Sequence, residues 1–118
     1  EKEELSAIKD LIATYQASAY KSLGIVCKTE SQAREMADKL QIPDIHFLSN
    51  QSSAFVQGIV ITSAHMAKGL EFDEVIIPQA DDRNYHSEID RSMLYVAITR
   101  AMHRLTLTYS GTKHTPFI

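Results

Sequence analysis

Short, continuous apolar segments alternate along this chain with longer segments in which apolar residues recur at every third or fourth position. The short segments predict strands at residues 23–27, 45–48, 55–62, 74–78 and 105–109, of which the second is weak and the last has the pattern of a strand near an edge. The amphipathic segments predict helices over residues 5–19, 33–40 and 88–103. Helices that alternate with short buried strands indicate an α/β sandwich with a mainly parallel sheet. Functional loops in such sheets follow the carboxyl ends of the strands, here Cys27, Ser63, Pro78 and Tyr109.

The size and charge of the chain limit its function class. At 118 residues and 44% hydrophobic composition, residues 1–118 are expected to form a single domain with its own core. A net charge of −3 argues against a free-standing nucleic-acid binder, although one domain of a larger motor can share a basic groove with its neighbour. No apolar run reaches the length of about 18 residues that a membrane span needs, so we expect no membrane partner.

The single cysteine and the start of the chain bear on where the protein acts. Cys27 lies inside an apolar run, as a buried thiol does in a reduced compartment, and we therefore expect a cytoplasmic protein. The chain opens on charged residues rather than on a signal peptide, and it has no initiator methionine. We accordingly expect it to be a piece of a longer protein.

Two segments concentrate the residues that can carry chemistry. The first, residues 61–72, runs from a predicted strand into a polar turn and contains Ser63, His65, Lys68, Gly69 and Glu71. The second, residues 93–102, is predicted as the helix that carries Arg100 near its C-terminal end. Taken singly, these residues have ordinary structural explanations. A cation near a helix C-terminus is favoured by the helix dipole, a histidine after a strand is typical of a turn, and Glu71 can pair with Lys68.

Two other kinds of site fit the sequence poorly. The five histidines and the cysteine lack the close spacing of metal ligands, so no metal site is predicted. Ser63, His65 and Asp73 are the residue types of a serine hydrolase. The G-x-S-x-G elbow is absent, however, and three residues so close in sequence seldom form a triad.

Taken together, the two segments resemble a known family. His65-Met-Ala-Lys-Gly-Leu-Glu-Phe72 resembles motif V of the UvrD/Rep-like superfamily 1 DNA helicases, and Leu94-Tyr-Val-Ala-Ile-Thr-Arg-Ala101 resembles their motif VI. Lys28-Thr-Glu-Ser-Gln-Ala33 is similar to a further conserved segment of the same domain. The resemblance spans about residues 22–110. It implies the C-terminal motor (2A) domain of a larger helicase, with the RecA-like, three-layer fold of P-loop NTPases.

The resemblance also implies roles for individual residues. Arg100 matches the arginine finger, which reaches the γ-phosphate of ATP; the ATP and its Mg²⁺ are held mainly by the upstream RecA-like domain of the same chain. Glu71 matches a glutamate beside the nucleotide sugar, and Gly69 matches the glycine whose backbone lies there. Ser63 and His65 stand at positions that contact single-stranded DNA and couple it to the ATP cleft.

The sequence also departs from the pattern of the family. The motif G-x-x-x-x-G-K-[ST] is absent, so the domain lacks the P-loop and is expected to hydrolyse ATP only as part of the full-length protein. The implied function is the C-terminal domain of an ATP-dependent DNA helicase or translocase. A short polar segment at residues 49–53, where UvrD and Rep carry a large inserted subdomain, resembles the helicase IV/HelD branch. This leaves open the ATPase module of a HelD-like factor that remodels RNA polymerase and, as a third alternative, a degenerate α/β scaffold.

Overall fold

Helices and strands alternate along the chain in the computed structural model, which describes residues 2–42, 45–47, 58–81, 83–109 and 114–115. The helices are α1 (Lys2–Gln16), α2 (Glu30–Leu40) and α3 (Glu88–Ile98). The strands are β1 (Ser22–Cys27), β2 (Ile45–Phe47), β3 (Gly58–Ser63), β4 (Phe72–Ile77) and β5 (Ala101–Leu107). The predicted alternation is confirmed, including the weak strand at residue 45. The loop predicted at residues 49–53, and the first residues of the strand predicted from residue 55, lie outside the described ranges.

The described strands form one sheet in the order β2-β3-β1-β4-β5, and all of their pairings are parallel. Strand β5 lies at an edge, as its alternating sequence predicts. From the central strand β1 the chain first builds β2 and β3 on one side and then crosses to build β4 and β5 on the other. The strand order therefore reverses at β1 and β4, and the carboxyl ends of these two strands form the topological switch point of the sheet.

Hydrophobic side chains cover both faces of the sheet and divide the structure into three layers. On one face α1 and α2 pack against alternate residues of the central strands, among them Leu23, Ile25, Ile61 and Ile76. On the other face α3 and the segment at residues 64–71 pack against the intervening residues, among them Val26, Val60, Val75 and Ile77. The α/β sandwich with a parallel sheet, predicted from the spacing of apolar residues, is thus confirmed.

Local capping explains where two of the helices begin. The side chain of Thr29 accepts a hydrogen bond of 3.2 Å from the backbone N–H of Gln32 at the start of α2. Helix α3 begins with a capping box in which Ser87 and Asp90 each accept from the backbone N–H of the other. Polar caps of this kind satisfy the unpaired N–H groups of a first turn.

The end of α3 differs from the prediction. A helix was expected over residues 88–103, but α3 ends at Ile98, and residues 101–103 belong to β5. The reason is strand pairing, because Ala101 already lies opposite Phe72 in β4 and the ladder competes with the helix for the same backbone groups. Arg100 consequently lies in the turn between the helix and the strand. Strand β4 begins two residues before the predicted start, and α1 ends at Gln16 rather than at residue 19.

Cys27 is fully buried at the end of β1, as its apolar surroundings predict. Burial raises the pKa of its thiol to about 12, with a further contribution from the charge of Glu4. At neutral pH the group is therefore a small hydrophobe rather than a nucleophile. Within the described ranges, no helix is both long and apolar enough to cross a bilayer.

Candidate functional site

The segment at residues 64–71 joins the carboxyl end of β3 to the amino end of β4. Because the two strands are parallel and six residues long, the segment must travel about 20 Å along the strand direction. It runs from the side of the sheet where the strands end, here called the carboxyl edge, to the side where they begin, here called the amino edge. It does so in helical turns: Ala67 N–H donates to the Ser63 carbonyl, and Leu70 N–H donates to the Ala67 carbonyl, both at 3.0 Å. Ala64 and Ala67 are buried against the sheet. The motif V residues are therefore spread along a crossover whose ends lie at opposite edges.

At the carboxyl edge, Ser63 and His65 differ in accessibility. Ser63 is 4% exposed, and its hydroxyl accepts a hydrogen bond of 3.3 Å from Met66 N–H. Ala64 N–H donates to the Cys27 carbonyl at 2.8 Å and so ties the start of the crossover to β1. The side chain of His65 is exposed. Ser63 thus holds the turn, and His65 is the group of the two that a ligand can reach.

At the amino edge, Gly69 and Glu71 lie next to β4. Gly69 has φ +80°, a conformation that side chains other than glycine seldom adopt, while the space where a Cβ would lie is open. Glu71 is exposed. No ion pair joins it to Lys68 among the residues with described side chains, so the local pairing considered from the sequence is not formed.

The guanidinium of Arg100 contacts the same end of the crossover. Its Nη1 donates to the Leu70 carbonyl at 3.4 Å, and its Nη2 donates to the Thr99 hydroxyl at 3.3 Å. The Arg100 carbonyl accepts from Phe72 N–H at 2.9 Å, which fixes the backbone of Arg100 beside the start of β4. The Nε atom is buried and has no hydrogen-bond partner among the residues that the structure describes. Within the described part of the chain no carboxylate pairs with this guanidinium, so its charge is uncompensated there.

The five residues singled out from the sequence therefore form two groups. Gly69, Glu71 and Arg100 lie together at the amino edge of β4 and β5, whereas Ser63 and His65 lie at the carboxyl edge of β3. Ser63 and His65 lie at the carboxyl ends of the strands, where the sequence led us to expect the candidate residues, whereas Gly69, Glu71 and Arg100 lie at the amino ends of β4 and β5. The physical reason for this separation is the short crossover, which carries one contiguous motif from the carboxyl end of β3 to the amino end of β4.

The hydrolase alternative is wrong on the same grounds. Asp73 lies at the amino end of β4, where its Oδ2 accepts a hydrogen bond of 2.7 Å from Lys21 N–H. Ser63 lies at the carboxyl end of β3, so the two side chains stand at opposite edges of the sheet and cannot form a triad with His65. Among the residues that the structure describes, no three His, Cys, Asp or Glu side chains converge to hold a metal ion.

Reasoning from the sequence missed an ion pair that anchors α3. Lys28, directly after β1, pairs with Asp90 in the first turn of α3 at 2.8 Å. Asp90 is 8% exposed, and the hydrogen bond from Lys28, together with bonds from the backbone N–H groups of His86 and Ser87, holds the pKa of its carboxyl well below its usual range. The pair joins distant parts of the sequence, and no local spacing signals it. It fixes the start of the helix whose other end leads to Arg100.

The candidate site lies in a part of the chain that is similar in sequence to known proteins. Residues 46–112 match the family model described as the UvrD-like helicase C-terminal domain. The DNA helicase II of Escherichia coli K12 is 33% identical over an alignment of 73 residues, and the match covers 53% of this chain. The Gabija protein GajB of Bacillus cereus VD045 is 43% identical over 58 residues, or 49% of this chain. The matches span 10% and 12% of these two relatives, so the chain corresponds to a small part of each.

Solved structures extend the likeness to nearly the whole chain. The C-terminal domain of a possible DNA helicase from Lactobacillus plantarum WCFS1 superposes with a TM-score of 0.85 at 25% identity, over 99% of this chain and 72% of that one. The C-terminal domain of the DEAD-box protein Dbp5 superposes with a TM-score of 0.61 at 13% identity, over 96% of this chain and 72% of that one. The second likeness concerns the fold alone. Together they confirm the predicted RecA-like architecture.

Proposed function

The chain belongs to the UvrD-like helicase C-terminal domain family, and on that premise we propose that it is the second motor domain of an ATP-dependent DNA helicase or translocase. In this proposal Arg100 completes an ATP site that is shared with an upstream RecA-like domain, and the carboxyl edge contacts single-stranded DNA. The full-length protein is the enzyme, and this domain alone does not turn over ATP. We expect it to act in the cytoplasm, where a buried free thiol such as Cys27 stays reduced.

One observation carries the proposal: Arg100 and the end of the motif V crossover meet at one edge of the sheet. The hydrogen bond from Arg100 to the Leu70 carbonyl places the guanidinium beside the stretch that contains Gly69 and Glu71. These residues are separated by about 30 positions in sequence and come from two motifs. A positive charge, an accessible stretch of backbone and an exposed carboxylate are the groups that a nucleotide triphosphate and its sugar would require.

The state of Arg100 suits a group that acts on phosphate. Its two hydrogen bonds use one N–H of Nη1 and one N–H of Nη2, so each of these nitrogens keeps a second N–H for a phosphate oxygen. Bound ATP would supply the phosphoryl group to be hydrolysed. Arg100 would donate to two of its oxygens at once and stabilise the charge that develops there. The described residues offer no cluster of carboxylates for Mg²⁺, which the upstream domain would therefore hold.

The crossover would couple this site to the nucleic acid. His65 is exposed at its carboxyl-edge end, and Ser63 caps the turn that presents it. The intervening turns are hydrogen-bonded and packed on the sheet through Ala64 and Ala67, so a displacement at one end would move the other. Closure of two motor domains on ATP would thereby shift His65 along the bound strand.

The test is Arg100→Ala in the full-length protein, with steady-state ATPase and direct ATP binding measured. We expect turnover to fall by about 10³- to 10⁵-fold while ATP binding is largely kept. Arg100→Lys is expected to restore little, because an ammonium cannot contact two oxygens in one plane. Arg34→Ala is a matched control, since this exposed arginine of α2 lies on the opposite face of the sheet. Near-normal turnover by Arg100→Ala would overturn the proposal.

A second candidate is the ATPase module of a HelD-like factor that remodels RNA polymerase. It is favoured by the ten residues, 48–57, that connect β2 to β3, which are too few for the inserted subdomain of UvrD and Rep. The two candidates differ in what stimulates the full-length ATPase. Stimulation by single-stranded DNA supports the helicase or translocase, whereas tight binding to RNA polymerase without stimulation by DNA supports the remodelling factor.

A further inference from the structure

Two aromatic rings meet at the surface where strand β5 ends. The ring centroids of Tyr109 and His114 are 5.8 Å apart, and the ring planes are inclined at 76°, an edge-to-face arrangement. Tyr109 is 39% exposed, and His114 is exposed as well. Neither ring belongs to the hydrophobic clusters that the described residues form on the two faces of the sheet. Because aromatic side chains are enriched where proteins bind partners, an exposed pair of rings indicates a binding surface.

Hydrogen bonds to one residue after β4 hold both rings in place. Directly before Tyr109, the Thr108 carbonyl accepts a hydrogen bond of 2.8 Å from Ala80 N–H. Directly after His114, the buried Thr115 donates its N–H to the Ala80 carbonyl at 3.0 Å. The backbone next to each ring is thus fixed to the same segment. Two rings that are positioned in advance lose little freedom when a ligand binds, which favours binding.

The pair lies at the carboxyl edge, on the same face of the sheet as the crossover that carries His65. The Thr108 hydroxyl donates to Glu4 of α1 at 2.8 Å, so the Thr108 side chain lies on the α1 face. Successive side chains of an extended chain alternate between faces, which places Tyr109 on the other face, with α3 and the crossover. The crossover begins beside the end of β1, and only β4 lies between β1 and β5. With about 4.8 Å between neighbouring strands, the ends of β1 and β5 are about 10 Å apart, so one bound DNA strand can contact both places.

The surroundings of the pair favour a base over a phosphate. Asp81 forms a β-bridge with His114, so a carboxylate lies close to the rings and repels a phosphate. The rings offer an aromatic surface, and every nucleobase has a flat π-face that stacks on such a surface. A nucleobase is therefore the part of a DNA strand that fits this pair.

We propose that Tyr109 and His114 form a stacking site for an unpaired base of the single strand bound at the carboxyl edge. The inference rests on the proposed contact with single-stranded DNA and adds a second point of contact beyond His65. Stacking uses a face that all bases share, so the site holds the strand without reading its sequence. A base inside a duplex is already stacked and paired, so the site favours single-stranded over double-stranded DNA.

The experiment measures binding of the full-length protein to fluorescent oligothymidine and to an abasic oligonucleotide of the same length, at one fixed salt concentration. Both oligonucleotides carry the same phosphates, so the difference between their affinities reports on the bases alone. The variants are Tyr109→Ala, which removes the ring, and Tyr109→Phe, which keeps it. Tyr95→Ala is the matched control, because Tyr95 is an exposed tyrosine in the last turn of α3, towards the amino edge.

We expect Tyr109→Ala to weaken binding of oligothymidine by about 5- to 100-fold, as the loss of one stacked base allows, and to leave binding of the abasic oligonucleotide unchanged. Tyr109→Phe and Tyr95→Ala should bind both oligonucleotides as the wild type does. Unchanged affinity of Tyr109→Ala for oligothymidine, or an equal loss for both oligonucleotides, would overturn the stacking site and leave the proposed DNA contact standing. Absence of binding of either oligonucleotide to the wild type, into the millimolar range, would overturn both.

Discussion

A single added methyl group at Gly24 tests the packing that positions Arg100. A Cβ built on Gly24, in the middle of β1, would lie 2.6–2.7 Å from three carbons of the Phe72 ring. Carbon atoms in contact prefer about 3.5–4.0 Å, so the ring must move by about 1 Å. Phe72 is fully buried, and its ring cannot swing into solvent to relieve the contact. Gly24→Ala is therefore expected to destabilise the domain.

The magnitude follows from two opposing effects. Overpacking a well-filled core costs about 1–3 kcal/mol, and replacing glycine by alanine in a strand returns about 0.5–1 kcal/mol of unfolded-chain entropy. At the middle of both ranges, the net loss in the free energy of unfolding is about 1 kcal/mol. With a urea m-value of about 2 kcal/mol/M, the unfolding midpoint should fall by roughly 0.5 M. Urea titration followed by circular dichroism measures this directly.

A double-mutant cycle with Phe72→Leu separates the steric clash from other effects. The smaller leucine makes room for the new methyl group, so the loss in the double variant should be smaller than the sum of the two single losses. The proposed role of Arg100 predicts an effect on ATP turnover as well. Phe72 N–H donates to the Arg100 carbonyl at 2.9 Å, so a shift of Phe72 would also move Arg100, and a misplacement of about 1 Å in an active site can cost about 10²-fold in rate. An unchanged urea midpoint for Gly24→Ala, or strictly additive losses, would refute this account of the packing.

Two further predictions concern the ends of α3. The Thr99 hydroxyl donates to the Val96 carbonyl at 2.9 Å and accepts a hydrogen bond from Arg100. Thr99→Val in the full-length protein should therefore lower kcat by about three- to tenfold with KM unchanged, and Thr99→Ser should restore kcat. An unaltered kcat in Thr99→Val would contradict this positioning role. Because pairing with Lys28 lowers the pKa of Asp90, its stabilisation is present above the unfolded pKa of about 3.9 and is lost as pH falls through the folded value. The difference in unfolding free energy between wild type and Lys28→Met should thus stay constant from neutral pH to about pH 5 and shrink below about pH 4, and a difference that vanished already at pH 5 would contradict the assignment.

Much of the fold was predictable because it depends on patterns that repeat along the chain. Apolar residues at helical spacing located the three helices of the described ranges, and continuous apolar runs located the central strands, since burial on one face or on both leaves a period in the sequence. The boundaries were less predictable. The helix expected to reach residue 103 ends at Ile98, because residues from Ala101 onward pair with β4, and that competition involves a partner strand distant in sequence.

The candidate site, too, was only partly predictable from the sequence. Motifs V and VI single out Gly69, Glu71 and Arg100 by residue type and order. They do not reveal that the atoms contacting Arg100 are the Leu70 carbonyl and Phe72 N–H, because every residue has a backbone and backbone groups carry no signal in sequence. Nor do they reveal the ion pair between Lys28 and Asp90, which forms only when the end of β1 and the first turn of α3 are placed side by side.

By itself the sequence determined the alternation of helices and strands, the buried thiol at Cys27 and the residues that can carry chemistry, because each depends on residue type and local spacing. The tertiary structure alone decided which of those residues meet. In a parallel sheet, every connection must lead from the carboxyl end of one strand back to the amino end of the next. The short crossover after Ser63 makes that return with one contiguous motif. Ser63 and His65, proposed to contact DNA, and Gly69 and Glu71, proposed to contact the nucleotide, are consequently near neighbours in sequence and stand at opposite ends of the strands.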